Sequence, residues 1–208
     1  MIALIDYGAG NLTSVKKALA TIGADVFVPE EPRAVAGARG IIVPGVGHFG
    51  ATRALDGPWI EAILERVGEG RPLFGICLGM QWLFEGSEEA PALAGLGVLA
   101  GCCYRLRTVR RPPPHPLSPA IKIPHVGWNS LSMTRTASIV DGVPDQAQVY
   151  FTHSYVAPVT GDTVAVTEHG EPFAAVVQRG HVSGVQFHPE KSGDVGLRIL
   201  RNFVEQAG

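Results

Sequence analysis

Residues 72–85 leave little freedom for the local fold. The short apolar run PLFGI passes into the helix-forming stretch LGMQWLFE with a single residue between them. That residue is Cys77, which has a glycine two positions before it and another two positions after it, GICLG. A chain that changes from strand to helix within one residue turns so sharply that side chains at ±2 collide. The pattern therefore demands a strand whose carboxyl end runs straight into a helix lying back over it, which is an α/β arrangement.

The rest of the first half repeats the alternation. Residues 2–6 (IALID) read as a strand, and in NLTSVKKALATIG the residues Leu12, Val15, Leu19 and Ile22 share one helical face that Gly23 ends. Strands follow at 25–29 and 40–44, with a short helical turn at 33–38 and helices at 48–56 and 58–68. The helix that begins at Leu78 is expected to run to about Glu85. Such alternation predicts a mostly parallel sheet flanked by helices on both faces. Segments 97–107, 126–133, 148–157, 163–168, 173–179 and 182–188 are short, β-rich and separated by turns. They predict antiparallel or mixed strands added to that sheet in the second half. SGDVGLRILRNFVEQ closes the chain as a helix with Ile199, Leu200, Phe203 and Val204 inward. RRPPPHPLSP (110–119) reads as an exposed, extended loop. A single domain over 1–208 is expected.

Composition excludes several functional classes. An apolar fraction of 46% with 17% charged residues is that of a globular chain, and a net charge of −2 creates no broad basic face for nucleic acid. No apolar run approaches the ~20 residues a membrane span needs. The start, MIALIDYGAGN, lacks the basic residues and long apolar stretch of a signal peptide. The cysteines are Cys77 and the adjacent Cys102 and Cys103, an odd set that makes no disulfide framework. Neither CxxC nor HExxH occurs, so no metal site is expected. A reducing cytoplasm fits best.

Two glycine-rich loops invite a nucleotide-binding reading. GVGHFG (45–50) has the form G-x-G-x-x-G between a strand and a helix. The acidic residues at the fingerprint's spacing, Glu65 and Glu69, fall in a helical stretch and not at the end of a strand, and Pro44 directly precedes the first glycine. YGAGNLT (7–13) lacks the third glycine. Both loops read as tight βα turns, or as loops that offer backbone N–H groups to an anion.

Glycines at ±2 around Cys77 make it a candidate nucleophile on a strained elbow. The helix beginning at Leu78 turns its positive end toward the sulfur and favours the reactive thiolate. The Leu78 N–H is aimed where an oxyanion would form. The competing reading is a buried structural cysteine, as expected for Cys102 and Cys103. A cysteine nucleophile needs a base. His188 ends the run VSGVQF, and Pro189 biases it toward an extended backbone. His188 and Glu190 then point to one side, so the carboxylate can fix the imidazole tautomer while the other ring nitrogen faces the thiol. Taken alone, His188 could simply cap a strand end.

PGVG (44–47), GICLGMQ (75–81) and FHPEKS (187–192) together resemble the class I, triad-type glutamine amidotransferases, a flavodoxin-like α/β family. Within it, IDYGAGNLTSV, PGVGHFG, KIPHVGWN (122–129) and VYFTHSYV (149–156) are similar to glutaminase subunits that dock on a (β/α)8-barrel cyclase. The likeness runs nearly end to end. It implies L-glutamine as substrate and Cys77, His188 and Glu190 as the catalytic set, with no cofactor. The oxyanion would be held by Leu78 and the loop Gly45, Val46 and Gly47. Gln81 and the backbones of Gly47, His153 and Ser154 would hold the substrate's amino-acid end. His125, Trp128, Tyr150 and Lys191 would meet the cyclase. The alternatives are an amidotransferase with another acceptor, a stand-alone cysteine hydrolase, and a nucleotide-binding module built on GVGHFG.

Overall fold

A computed structural model describes residues 1–107 and 121–208. The expected proline-rich loop at 110–119 lies outside the described residues. In chain order the strands are β1 (Ile2–Leu4), β2 (Val26–Phe27), β3 (Gly40–Val43), β4 (Leu73–Ile76), β5 (Gly86–Ser87), β6 (Cys102–Arg105) and β7 (His125–Ser130). They continue with β8 (Ser132–Met133), β9 (Gln148–His153), β10 (Tyr155–Val156), β11 (Thr163–His169), β12 (Glu171–Arg179) and β13 (Val182–Val185). The α-helices are α1 (Leu12–Thr21), α2 (Gly57–Gly68), α3 (Leu78–Trp82) and α4 (Gly193–Gln206).

The main sheet has the order β2-β1-β3-β4-β13-β12-β11-β8. Its first five strands pair in parallel, and the last three add antiparallel. Side chains alternate across the parallel half as a period of two requires. Ile2, Leu4, Ile42, Phe74 and Ile76 pack under α1 and α4, through Val15, Leu19, Ile199, Leu200 and Phe203. Ala3, Ile5, Ile41, Val43 and Leu73 pack on the other face with Ile63 of α2. Both faces are thus covered, which is why these strands read as unbroken apolar runs. Asn11 caps α1 by accepting the Ser14 N–H, and Gly23 supplies the positive φ (75°) that ends it.

Three expectations change. The helix after Cys77 stops at Trp82 and does not reach Glu85, because the chain turns away to pair β5 with β6. Not every late strand joins the main sheet: β7 and β9 form a separate two-stranded antiparallel sheet, and β5, β6 and β10 a small third sheet. Val204 is only half-buried, whereas Asn202 turns inward and donates to the carbonyls of Ile139 and Asp141. No helix among the described residues is long and apolar enough to cross a membrane.

Candidate active site

The parallel strands β1, β3, β4 and β13 release four segments at one edge of the sheet. These are the loop 7–10, the loop 44–47, the elbow at Cys77, and residues 186–190. Ligands of open parallel sheets collect at this carboxyl edge.

Cys77 sits at φ 53°, ψ −107°, a backbone region that a non-glycine residue enters only under strain. The flanking glycines are there for space. A Cβ on Gly75 would lie 2.6 Å from the Gly79 carbonyl oxygen and the Met80 nitrogen, and one on Gly79 would lie 1.8 Å from the Val43 carbonyl oxygen. Cys77 itself is buried and a free thiol.

His188 follows β13 in an extended conformation, and Pro189–Lys191 then forms a turn of 3-10 helix. That turn brings Glu190 Oε1 to 2.9 Å from His188 Nδ1, with the two side chains only 2% and 1% exposed. His188 Nε2 is buried and makes no hydrogen bond among the described residues. Burial opposes a charge on this ring, but the Cys77 sulfur and the Glu190 carboxylate outweigh it and raise the His188 pKa to about 10. The structure places Cys77, His188 and Glu190 next to one another.

The two amides assigned to an oxyanion are engaged elsewhere. Leu78 N–H donates to the Gly45 carbonyl (3.3 Å), and Val46 N–H donates to the Ala9 carbonyl (2.6 Å). Gly45 admits no side chain, since a Cβ would lie 2.1 Å from the Tyr7 hydroxyl and 2.8 Å from Leu78 Cβ. Gly47 adopts φ 92°.

Beside the thiol is a cavity of about 230 Å³ lined by Gly47, Cys77, Gln81, Glu89, His153 and Ser154 among others. Gln81 Nε2 donates to the Tyr155 carbonyl (2.9 Å) and to Gln186 Oε1 (3.1 Å), and Gln186 Nε2 donates to Cys77 Sγ (3.6 Å). Glu89 and Gln186 escaped the sequence reading. Gln186 could have been found, since it stands two residues before His188 in the segment that follows β13. Glu89 lies in a loop after β5, with no local pattern to mark it. Its Oε2 accepts the Phe49 N–H (2.6 Å).

The β7–β9 pair separates the residues expected at a partner surface. Val126 and Trp128 face outward, each 57% exposed. Trp128 meets the Tyr150 ring edge-on at 6.1 Å, and Lys191 Nζ lies 5.8 Å from the Tyr150 centroid. His125 does not belong to that surface: it alternates to the inner face and is 3% exposed. It stacks between Phe151 and His169, and its Nδ1 lies 3.1 Å from His153 Nε2. His153 Nδ1 lies 3.1 Å from the Tyr155 carbonyl and must donate to it, so its Nε2 accepts from His125. His125 Nε2 then accepts from the Asn129 amide (3.3 Å). Both rings are held neutral. Burial, aided by the His169 charge, lowers His125 to about 4; burial and the His125 charge lower His153 to about 3. Of the other thiols, Cys103 is buried in β6 and Cys102 is exposed.

Residues 3–207 match the family described as glutamine amidotransferase class-I, and the chain belongs to that class. A solved structure titled "Crystal structure of glutamine amidotransferase" superimposes with a TM-score of 0.75 at 22% identity, covering 100% of both chains. The imidazole glycerol phosphate synthase subunit HisH of Halobacterium salinarum is 47% identical over 98% of this chain and 92% of its own length. The protein of that name from Xanthomonas axonopodis pv. citri is 45% identical over 99% and 98%. Within the class, the chain belongs to this HisH family.

Proposed function

We propose that this chain is the glutaminase of an imidazole glycerol phosphate synthase in histidine biosynthesis, a single domain over 1–208 working in the cytoplasm. The observation that carries the reading is the strained Cys77 elbow set against a buried His188–Glu190 pair at 2.9 Å.

His188, with its pKa raised to about 10, holds the thiol proton on Nε2, and the Cys77 sulfur attacks the side-chain amide carbon of L-glutamine as the thiolate. Glu190 holds the other ring nitrogen and stabilises the imidazolium. The tetrahedral oxyanion needs donors that the resting loop withholds. Rotation of the peptide between Gly45 and Val46 removes the carbonyl from the Leu78 N–H and frees the Val46 N–H. Glycine at 45 carries one of the two torsions that turn and so eases that rotation, and Gly47 lets the following backbone adjust. His188 returns its proton to the leaving nitrogen and ammonia departs, leaving a glutamyl thioester. Water, deprotonated by His188, then releases glutamate.

Gln81 and the backbones of Gly47, His153 and Ser154 bind the amino-acid end, with the Glu89 carboxylate available to the α-ammonium. A pocket of this size suits a small amino acid. Ammonia set free in water would be protonated, so the chain docks on a (β/α)8-barrel cyclase that takes it up directly. Trp128, Tyr150 and Lys191 supply the docking surface, while His125 lies behind it.

The test is glutamate release by the isolated chain, then with the cyclase subunit and its phosphoribosyl ligand, beside Cys77→Ala. Weak activity alone, a large rise with partner and ligand, and loss in the variant are expected. Strong activity indifferent to the partner would mean a free-standing hydrolase.

A further inference from the structure

We propose that Gln186 is the hydrogen-bond donor that anchors the Cys77 sulfur and stabilises its thiolate, a role separate from that of the His188–Glu190 pair. The amide of a glutamine can be turned either way, but here a chain of contacts fixes it. The Tyr155 carbonyl can only accept, so the Gln81 group facing it is the NH2. The same NH2 meets Gln186 at 3.1 Å, which must therefore present its oxygen there. Gln186 is left with its NH2 toward Cys77 Sγ at 3.6 Å. The sulfur thus meets the Gln186 amide as well as His188, whose charged form it favours.

The backbone supports the same reading. β13 runs parallel to β4 with Val185 beside Ile76, and Cys77 N–H donates to the Val185 carbonyl at 2.8 Å. Gln186 thus arrives level with the elbow, fully buried. Just past the strand end, Gln186 and His188 both reach the Cys77 sulfur while Phe187 goes into the core. A fully buried amide whose free donor meets only a sulfur gains most when that sulfur is charged. When Cys77 gives its proton to His188, the N–H···S contact becomes a bond to a thiolate. Other titratable groups whose charge bears on the sulfur are His188, with Glu190 behind it, and Tyr7 from the loop after β1. Glu89 and His153 line the same cavity.

The proposal deepens the glutaminase reading and rests on it for its catalytic meaning. Its test reads the thiol directly. Cys77 alkylation by iodoacetamide is followed against pH by peptide mass spectrometry, so that Cys102 and Cys103 do not contribute. In Gln186→Met the Cys77 titration is expected to move upward by about one pH unit or more, and kcat to fall roughly ten- to a hundredfold with KM little changed, the range of a charge-assisted bond. Gln186→Glu keeps the oxygen that Gln81 needs but sets a carboxylate beside the sulfur, and should move the titration further the same way. A purely structural role would lower the urea midpoint and leave the alkylation profile in place. Should neither variant fold, the side-chain amide resonances of Gln186 in the ¹⁵N-labelled wild type are compared with those of Cys77→Ala, where a shift is expected. Superimposable alkylation profiles in folded variants, or amide resonances blind to Cys77→Ala, would overturn the proposal. Glutaminase activity surviving in Cys77→Ala would instead overturn the function above, and the alkylation result would still stand on its own.

Discussion

Acidification from pH 7 to pH 5 is expected to loosen this fold through its paired histidines. His125 and His153 share one proton-directed bond at 3.1 Å, with every ring nitrogen committed. A second proton on either ring would put N–H against N–H or against the Asn129 amide. Their folded pKa values, about 4 and about 3, lie below the ordinary 6.5. The stability they contribute is therefore complete above pH 6.5 and is lost as pH falls toward those values. At pH 5 the unfolded chain takes up both protons and the native chain takes neither. That gap corresponds to about 2 kcal/mol for His153 and up to about 2 kcal/mol for His125. His188 acts in the opposite sense. Its pKa is raised to about 10, so its contribution is whole below 6.5 and fades as pH rises toward 10. Acidification recovers about 1 kcal/mol there. Ordinary carboxylates stay charged at pH 5. The net loss of about 3 kcal/mol is a large part of the 5–15 kcal/mol typical of a domain. Urea unfolding at pH 7, 6 and 5 and constant ionic strength measures it. His125→Leu should reduce the proton linkage from nearly two to about one. A wild-type loss below about 1 kcal/mol, or an unchanged slope in the variant, would refute the assignment of both rings as neutral.

Two further outcomes follow from packing. Gly79→Ala places a methyl 1.8 Å from the Val43 carbonyl oxygen and should cost about 3 kcal/mol or more, whereas Gly68→Ala in α2 meets open space and should be neutral or mildly stabilising; urea midpoints decide between them. Trp128→Ala removes a side chain that is 57% exposed, so stability should stay within about 0.5 kcal/mol, while affinity for the cyclase subunit, read by calorimetry, should fall roughly thirtyfold. An unaltered Kd would take Trp128 out of the interface.

The parallel half of the fold was legible because its strands are buried on both faces and its turns are marked by glycine. Each apolar run could be read without knowing its neighbours. The elbow was legible for a steric reason, since only glycine fits at 75 and 79. The second half was harder. Nothing in HVGWNS says that it pairs with QVYFTH to make a two-stranded sheet apart from the main one. That choice is made by long-range packing of Phe151 and His125. The same blindness placed His125 at the surface beside Trp128, although alternation along the strand should have set the two on opposite faces. Glu89 could not be read at all, because its position depends on β5 pairing with β6 and on the Phe49 N–H it accepts.

What the site holds ready and what it withholds differ in kind. The proposed nucleophile and base are fixed by covalent geometry and burial: a strained elbow, a turn of 3-10 helix and an ion pair shut away from water. The proposed oxyanion donors, the Leu78 and Val46 amides, are held by two backbone hydrogen bonds, to the carbonyls of Gly45 and Ala9. An oxyanion donor is worth about 100- to 1,000-fold in rate, so on the proposed mechanism this loop sets the resting rate while the rigid triad sets the chemistry. Exchanging one peptide's partners costs far less than rebuilding a packed core, and Val46 is 38% exposed at the rim, where a neighbouring surface could reach it. On that mechanism a docked partner would control the reaction by turning the single Gly45–Val46 peptide, without disturbing the buried His188–Glu190 pair.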